Sequence, residues 1–311
     1  MNERQILPVI MIDFLSADRT FQFIRDFNKI TSEYVFKYFI VDNAGEPSNR
    51  SKLLQGMKIR KTPKFQDGQV YCDSSETIFV IEPGKNLGFA KGNNCGFRLA
   101  NLVCHPKYVL FSNSDILLDE TFDIDLLIHK MREDTRIGVI GPKVTGLDGK
   151  PQSPCRELPL YQRWWKKLLL WPLDRMIYKV TRHSVIPSDL IANGAEGTVY
   201  RVIGAFMLCD ADKFVQIGQF DENTFLYAEE LILAERMKTT GYCTYYEPKV
   251  SLIHEGGYTT GKQMVPLKKL KQRLQSELYY YHRYKGVPMF GIRLTWVLFA
   301  LYEVKVKLLK R

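Results

Sequence analysis

Short apolar runs alternate with stretches of helical spacing along most of this chain. Leu7–Phe14 (LPVIMIDF), Val35–Val41 (VFKYFIV), Thr77–Glu82 (TIFVIE) and Val109–Phe111 are brief, β-prone and nearly unbroken in apolar character. That is the pattern of strands buried on both faces of a parallel sheet. Asp18 is placed to N-cap a helix through about Ile30, with Phe21, Ile24 and Phe27 on one face. A second helix is predicted from Asn93 to about Val103, and a third over Ile124–Arg132. Strand, helix, strand, helix in succession implies parallel crossovers and a three-layer α/β fold. Ser51–Ser75 is polar and weakly patterned and reads as a variable connection. Further on, Ile137–Val144 is a strand, Pro151–Thr198 is irregular, and Val199–Cys209 is a strand or a strand pair broken at Gly204. A helix is predicted from Glu229 to Thr240, then short strands at Tyr242–Tyr246 and Val250–Ile253. From Leu267 the pattern is helical and basic, and no internal repeat or low-complexity tract interrupts the chain.

Composition changes this picture in one respect. The 311 residues are 45% hydrophobic and 25% charged, an ordinary globular mixture. The net charge of +10 is not evenly spread, because Lys262–Arg311 holds 12 Lys/Arg against 2 Asp/Glu, while residues 1–261 balance at 32 of each. A neutral body with a basic tail points to an anionic surface as partner. The six cysteines are scattered without a C-x-x-C pair, so they read as reduced, mostly buried thiols of a cytosolic protein. The N-terminal apolar run is too short and too β-branched for a signal sequence. No stretch reaches the ~18–20 uncharged apolar residues of a membrane span.

Candidate chemistry gathers at strand ends, the edge where open α/β sheets bind ligands. Val109–Phe111 runs into Asn113-Ser114-Asp115. The Asp115 carboxylate can hold a hard divalent cation whose remaining ligands are water and substrate phosphate, or can close an Asx turn. Asp42-Asn43 ends another strand and can accept from a ribose hydroxyl or a base N–H, or cap a turn. Asn86-Leu87-Gly88-Phe89-Ala90-Lys91-Gly92-Asn93-Asn94 is a loop of small residues ahead of a helix, suited to a polar or anionic ligand or simply to a tight turn. Glu229-Glu230 follows Phe225-Leu226-Tyr227 at a helix start. The dipole favours acids there, and an apolar lip would raise a glutamate toward the range of a general base. His254, before Glu255-Gly256-Gly257, is a metal ligand or a structural histidine.

The order of these pieces is more informative than any one. Asp42-Asn43, N-L-G-F-A-K-G-N-N, N-S-D, G-A-F-M, F-D-E-x-x-F-L-Y-x-E-E and H-E-G-G together resemble the family 2 inverting nucleotide-sugar glycosyltransferases, nearest the rhamnosyltransferase branch. The resemblance covers about residues 5–260. It implies a GT-A fold, Rossmann-like with a mostly parallel central sheet. The nucleotide-sugar half would be about 1–120 and the acceptor half about 121–261, with 262–311 a basic helical tail. It also implies a nucleoside bound at Asp42 and Asn43, and a donor site lined by Asn86, Gly88, Phe89, Lys91, Gly92, Asn93, Asn113 and Ser114. Mg²⁺ or Mn²⁺ would sit at Asp115 and His254, and the base would come from Glu229-Glu230. The chain departs from the family where Glu230 replaces the expected Asp, Ile232 a further Asp, and Lys91 a common Gly. A donor such as a uridine- or thymidine-linked sugar, and a glycan or lipid-linked acceptor of bacterial surface polysaccharide, are the implied substrates. A catalytically silent nucleotide-sugar-binding or scaffold relative is the alternative.

Leu160–Ser184 mixes Trp164, Trp165 and Trp171 with Arg163, Lys166, Lys167, Arg175, Lys179 and Arg182. With the 262–311 tail it suits peripheral attachment to the anionic inner face of the cell membrane. A helical cap packed on the body is the other reading. Nucleic acid is not expected, since no binding motif accompanies the charge.

Overall fold

The structure, a computed structural model, describes residues 5–55, 59–62, 65–120, 122–155, 164, 165, 168, 194–256 and 266–308. Among them, β1 (Ile6–Asp13), β2 (Val35–Asp42), β5 (Ile78–Glu82) and β6 (Tyr108–Ser112) form a parallel centre in the order β6-β1-β2-β5. Beyond β5 lie β4 (Gln69–Asp73) and β3 (Ile59–Lys61), paired antiparallel. On the other side of β6 come β11 (Phe206–Asp210), β8 (Ile137–Thr145), β12 (Cys243–His254) and β10 (Gly197–Val199). β11 is antiparallel to both β6 and β8, whereas β8 and β12 are parallel. Thus β12, β8, β6, β1, β2 and β5 point one way and deliver their C-terminal ends to one edge. Short strands β7 (Ile116–Leu118) and β9 (Pro151–Ser153) pair with β12 and β8.

Period-two alternation in β1 divides the core between two faces. Leu7, Val9 and Met11 pack with Phe23, Ile24 and Phe27 of α1 (Ala17–Phe27) and with Leu127 and Ile128 of α4 (Ile124–Glu133). Ile10 lies on the opposite face with α3 (Gly88–Cys104), Phe214 of α5 (Ala211–Gln216) and Leu233 of α6 (Glu229–Thr239). A Cβ at Gly96 would stand 2.5 Å from Ile10 Cγ2, so α3 lies closer to the sheet than any other residue would allow. This is the three-layer arrangement the sequence predicts.

Several boundaries differ from the sequence reading. α3 begins at Gly88, not Asn93, so the glycine- and asparagine-rich segment forms its first turns instead of a preceding loop. The physical reason is local: Gly88 adopts φ +77°, and the Phe89 N–H leaves the segment to bond Phe225 O at 2.8 Å. Asp18 is not the N-cap of α1. Ser16 holds that position, and Asp18 lies in the first turn. Ser51–Ser75 is not featureless, since it includes the end of α2 (Pro47–Leu54) and both β3 and β4. The two strands expected at Tyr242–Tyr246 and Val250–Ile253 are one, β12, whose register against β8 shifts between Glu247 and Ser251. That bulge carries the polar interruption which split the sequence pattern.

The tail packs on the body. α7 (Pro266–Lys285) and α8 (Met289–Leu308) supply Leu274, Leu278, Tyr281, Ile292 and Phe299 to a cluster with Leu231 and Ile232 of α6. Trp164 belongs to it, and its Nε1 donates to Glu277 Oε2 at 2.7 Å. Trp165 Nε1 donates to Thr295 Oγ1 at 2.9 Å. These two tryptophans face the tail helices, as in the helical-cap reading. Trp171 and the basic residues of Leu160–Ser184 lie outside the described residues.

Candidate active site

Parallel pairing sets Asp13 beside Asp42 at the ends of β1 and β2. Both are buried, and Asn49 Nδ2 on α2 bridges them, at 2.8 Å to Asp13 Oδ1 and 2.9 Å to Asp42 Oδ1. Asp13 is otherwise satisfied by Ser16 and by Thr20 Oγ1 at 2.6 Å. Asp42 Oδ2 has no partner. Burial, reinforced by the nearby charges of Asp13 and Glu82, pushes the Asp42 carboxyl above its ordinary range. A buried acceptor left open at a sheet edge fits a base N–H or a sugar hydroxyl.

Asn43 ties this corner to α3. Its Oδ1 accepts from Leu87 N at 2.6 Å, and its Nδ2 donates to Asn86 Oδ1 at 3.0 Å and Gly88 O at 3.2 Å. Asn86 Oδ1 also accepts from Gly88 N at 2.9 Å. A Cβ on Gly88 would stand 2.2 Å from Phe225 O, so glycine is required by both space and φ. Gly92 packs on Ile12, Asn93 bonds back to Phe89 O at 3.2 Å, and Lys91 is exposed. Gly92 and Asn93 thus contact the sheet and their own helix, while Lys91 stands open to solvent.

The N-S-D turn follows β6. Asn113 N donates to Ala205 O at 2.9 Å, and Ser114 Oγ lies 3.3 Å from Ser16 Oγ. Asp115 is 3% exposed and its Oδ1 has no hydrogen-bond partner. Pairing of β7 with β12 sets His254 opposite Ile116, and His254 Nε2 approaches Asp115 Oδ1 to 3.3 Å without a hydrogen bond between them. Gln152 on β9 fixes the ring. Its Nε2 donates to His254 O at 3.3 Å, which turns its Oε1 to His254 Nδ1 at 2.7 Å. An amide oxygen only accepts, so Nδ1 bears a proton and Nε2 is aimed at the carboxylate. A buried carboxylate oxygen and an imidazole nitrogen facing each other across this gap fit a shared cation. Among the described residues no three His, Cys, Asp or Glu side chains converge, so an ion here would draw its other ligands from substrate and water.

Glu229 and Glu230 open α6 after Tyr227 and Ala228, both in the left-handed region at φ 74° and 70°. Such backbone costs about 1–3 kcal/mol per residue and concentrates at functional turns. Glu229 is buried with Oε1 unpartnered, and burial followed by the Glu230 charge pushes its carboxyl up to about 8. Glu230 is half-buried, and its Oε1 accepts from Gly204 N at 3.3 Å. Since Asn113 binds Ala205 and Glu230 binds Gly204, the N-S-D turn and the acidic turn meet on one dipeptide.

Sequence reasoning passed over Asp13, Asn49 and Gln152, and read Asn94 as part of a ligand loop. Asp13 ends an apolar strand just as Asp42 does, and that signal was available. Asn94 holds Phe220 through Nδ2–O at 2.9 Å and Phe220 N–Oδ1 at 3.1 Å. Gln152 lies in a segment with no readable pattern.

No family model matches the chain. Over 195 residues it is 26% identical to an N-acetylglucosaminyl-diphospho-decaprenol L-rhamnosyltransferase of Mycobacterium tuberculosis, covering 60% of this chain and 61% of that protein. The match therefore spans about three-fifths of the relative's length. Over 167 residues it is 26% identical to a low-salt glycan biosynthesis hexosyltransferase of Haloferax volcanii, covering 53% of this chain and 48% of the relative. In fold it is similar to a mannosyltransferase of Pyrobaculum calidifontis solved with GDP-Man and Mn²⁺. The TM-score is 0.52 at 14% identity, covering 92% of this chain and 66% of that one. The chain has the GT-A fold, and the names of these relatives are consistent with the resemblance of its motif order to the family 2 glycosyltransferases.

Proposed function

We propose that this protein is an inverting, metal-dependent glycosyltransferase that moves a sugar from a nucleoside diphosphate donor to a hydroxyl of a glycan or lipid-linked acceptor. The observation that carries the reading is that the Asn113-Ser114-Asp115 turn, whose Asp115 faces His254, and Glu230 are both bonded to Gly204–Ala205, the first through Asn113 N. Asp42 and Asn43 would hold the nucleoside, with Asn113, Ser114 and the Asn86–Asn93 segment shaping the donor side. Mg²⁺ or Mn²⁺ at Asp115 and His254 would neutralise charge on the departing diphosphate. Glu230 is the better-placed base, because it reaches from half-exposed ground into the cleft wall while Glu229 is enclosed and held neutral below about pH 8. As the acceptor oxygen attacks the anomeric carbon, Glu230 takes its proton and the carbon–diphosphate bond breaks on the opposite side. A single displacement inverts that carbon and needs no covalent intermediate.

Attachment at the inner membrane face belongs to the same reading. No helix among the described residues is long and apolar enough to cross a membrane. Support for surface contact comes from α8, where Phe290 is 78% and Leu301 64% exposed on a basic tail. Sedimentation with anionic and with neutral vesicles tests this, and binding to neither refutes it. The activity is tested by supplying UDP-, dTDP- and GDP-sugars with Mn²⁺ and measuring released nucleoside diphosphate. Release that depends on metal and is lost in Asp115→Asn is the expected result. No release from any donor, with or without a lipid-linked acceptor, overturns the proposal.

A further inference from the structure

Two glutamates oppose each other at the β10 edge of the sheet. β10 runs antiparallel to β12, with Gly197 opposite Tyr246 and Thr198 opposite Tyr245. Continuing that register by one residue sets Glu196 directly opposite Glu247. Side chains so placed on an antiparallel pair are close neighbours, and two like charges there repel. Both groups are held in place. Glu247 is fully buried, and its Oε1 accepts from Lys249 N at 3.0 Å within the bulge of β12. Glu196 Oε1 accepts from Lys130 Nζ of α4 at 2.9 Å. The second oxygen of each carboxyl, Glu196 Oε2 and Glu247 Oε2, is shielded from solvent and has no hydrogen-bond donor.

Ionised carboxyls only accept, so two of them brought together out of water need something positive between them. The neighbours decide what it is. Lys130 from α4 and Lys249 from β12 already bring positive charge to the pair, which opposes a metal cation. Pro142 of β8, opposite Glu247, carries no charge, and Tyr245 and Tyr246 of β12 are the other titratable groups nearby. A single proton fits, with one carboxyl donating to the other. Burial, then the bond to Glu196, pushes Glu247 above its ordinary range, while the bond to Glu247, followed by Lys130, holds Glu196 below its own. Glu247 is therefore the acid and Glu196 the carboxylate.

We propose that a proton shared between Glu196 and Glu247 latches the β10 edge strand to β12, and that its loss to alkaline solution releases the strand. The proton is held more tightly in the latched state. The latch is therefore complete below the ordinary glutamate value and weakens as pH rises through the raised one. β10 leads through Arg201, whose O accepts from Cys155 N at 2.8 Å, to Gly204–Ala205, where Glu230 and Asn113 are bonded. The strand that the latch controls is thus one end of the connection beneath the candidate site. The latch itself does not depend on the transferase reading.

Amide hydrogen exchange of the full chain tests it, read at Gly197–Val199 and corrected for the intrinsic dependence of exchange on pH. From about pH 4.5 upward, opening of β10 in the wild type should increase by up to about tenfold per pH unit and then level off by about pH 9. Glu247→Gln puts an amide N–H where the shared proton lay, and Glu196→Gln does the same from the other side. Both should keep β10 protected without that slope. Glu196→Gln is the less buried change and carries the test if Glu247→Gln folds poorly. Glu229→Gln, which removes the other raised glutamate, should retain the slope at β10. Wild-type protection that is flat across this range would overturn the proposal. So would a slope that persists in a folded Gln variant at position 196 or 247, or one that Glu229→Gln abolishes.

Discussion

The two ends of the candidate site are built in opposite ways. At the ends of β1 and β2, Asn49 donates to Asp13 and Asp42 at 2.8 and 2.9 Å and Asn43 donates to Asn86 at 3.0 Å, and one acceptor atom, Asp42 Oδ2, is left open. At the turn before α6, Tyr227 OH and Glu229 Oε1 are both buried without partners, and the turn bearing the glutamates is strained. The first region is satisfied at all but one atom. The second holds more unmet polar demand on a strained backbone, and other elements brace it. The brace is the tail: Ser276 Oγ donates to Leu226 O at 2.7 Å, and Tyr279 and Tyr284 donate to Asp221 Oδ2 at 2.8 and 2.6 Å.

The contrast can be broken most forcefully at the corner both halves share. Asp115→Asn should lower kcat about 10³-fold while leaving the fold intact, because charge stabilisation of the leaving group is lost; steady-state transfer with saturating Mn²⁺ measures it. Glu230→Gln should lower kcat by about 10²–10⁴-fold, the usual worth of a general base, with donor KM unchanged.

The next effect is on stability. Gly88→Ala should cost about 2 kcal/mol or more, since its φ is +77° and the added carbon meets Phe225 O; urea unfolding checks this.

Glu229→Gln sharpens the comparison by pH. The folded carboxyl titrates near 8 and the unfolded one near 4.5, so the folded state binds the proton more tightly. Its contribution is full below the unfolded value and is lost as pH rises through the folded one. Wild type should therefore lose stability between about pH 5 and 8 at up to about 1.4 kcal/mol per unit relative to Glu229→Gln. Parallel melting curves for the two proteins across that range would contradict the assignment. Smallest of all, Lys91→Ala should change stability by less than about 0.5 kcal/mol, as an exposed substitution.

What could be read from the sequence follows the same division. β1, β2, β5 and β6 announced themselves because a strand buried on both faces must be apolar throughout, and Asp42 and Asp115 stood out where those runs stopped. Glu229-Glu230 and His254 were visible as polar breaks at element ends. Their partners were not. Gln152 is about 100 positions from His254, and Ser276 is 50 from Leu226, so no local period links them. β7 is three residues long, too short to show alternation, yet its pairing with β12 is what brings Asp115 to His254. The tail read equally well as a surface-binding or a packed helix, because Leu274 and Leu278 on one side and Leu301 on another are chemically alike. Only tertiary contacts distinguish them.

The bond from Phe89 N to Phe225 O joins the first turn of α3 to the loop ahead of the acidic pair, main chain to main chain. No substitution can delete it except proline. Any breathing motion that separates the start of α3 from the turn before α6 must rupture it. The Phe89 amide proton is thus a built-in gauge of that separation, and on the proposed function its exchange with deuterium should slow when a nucleoside diphosphate is added.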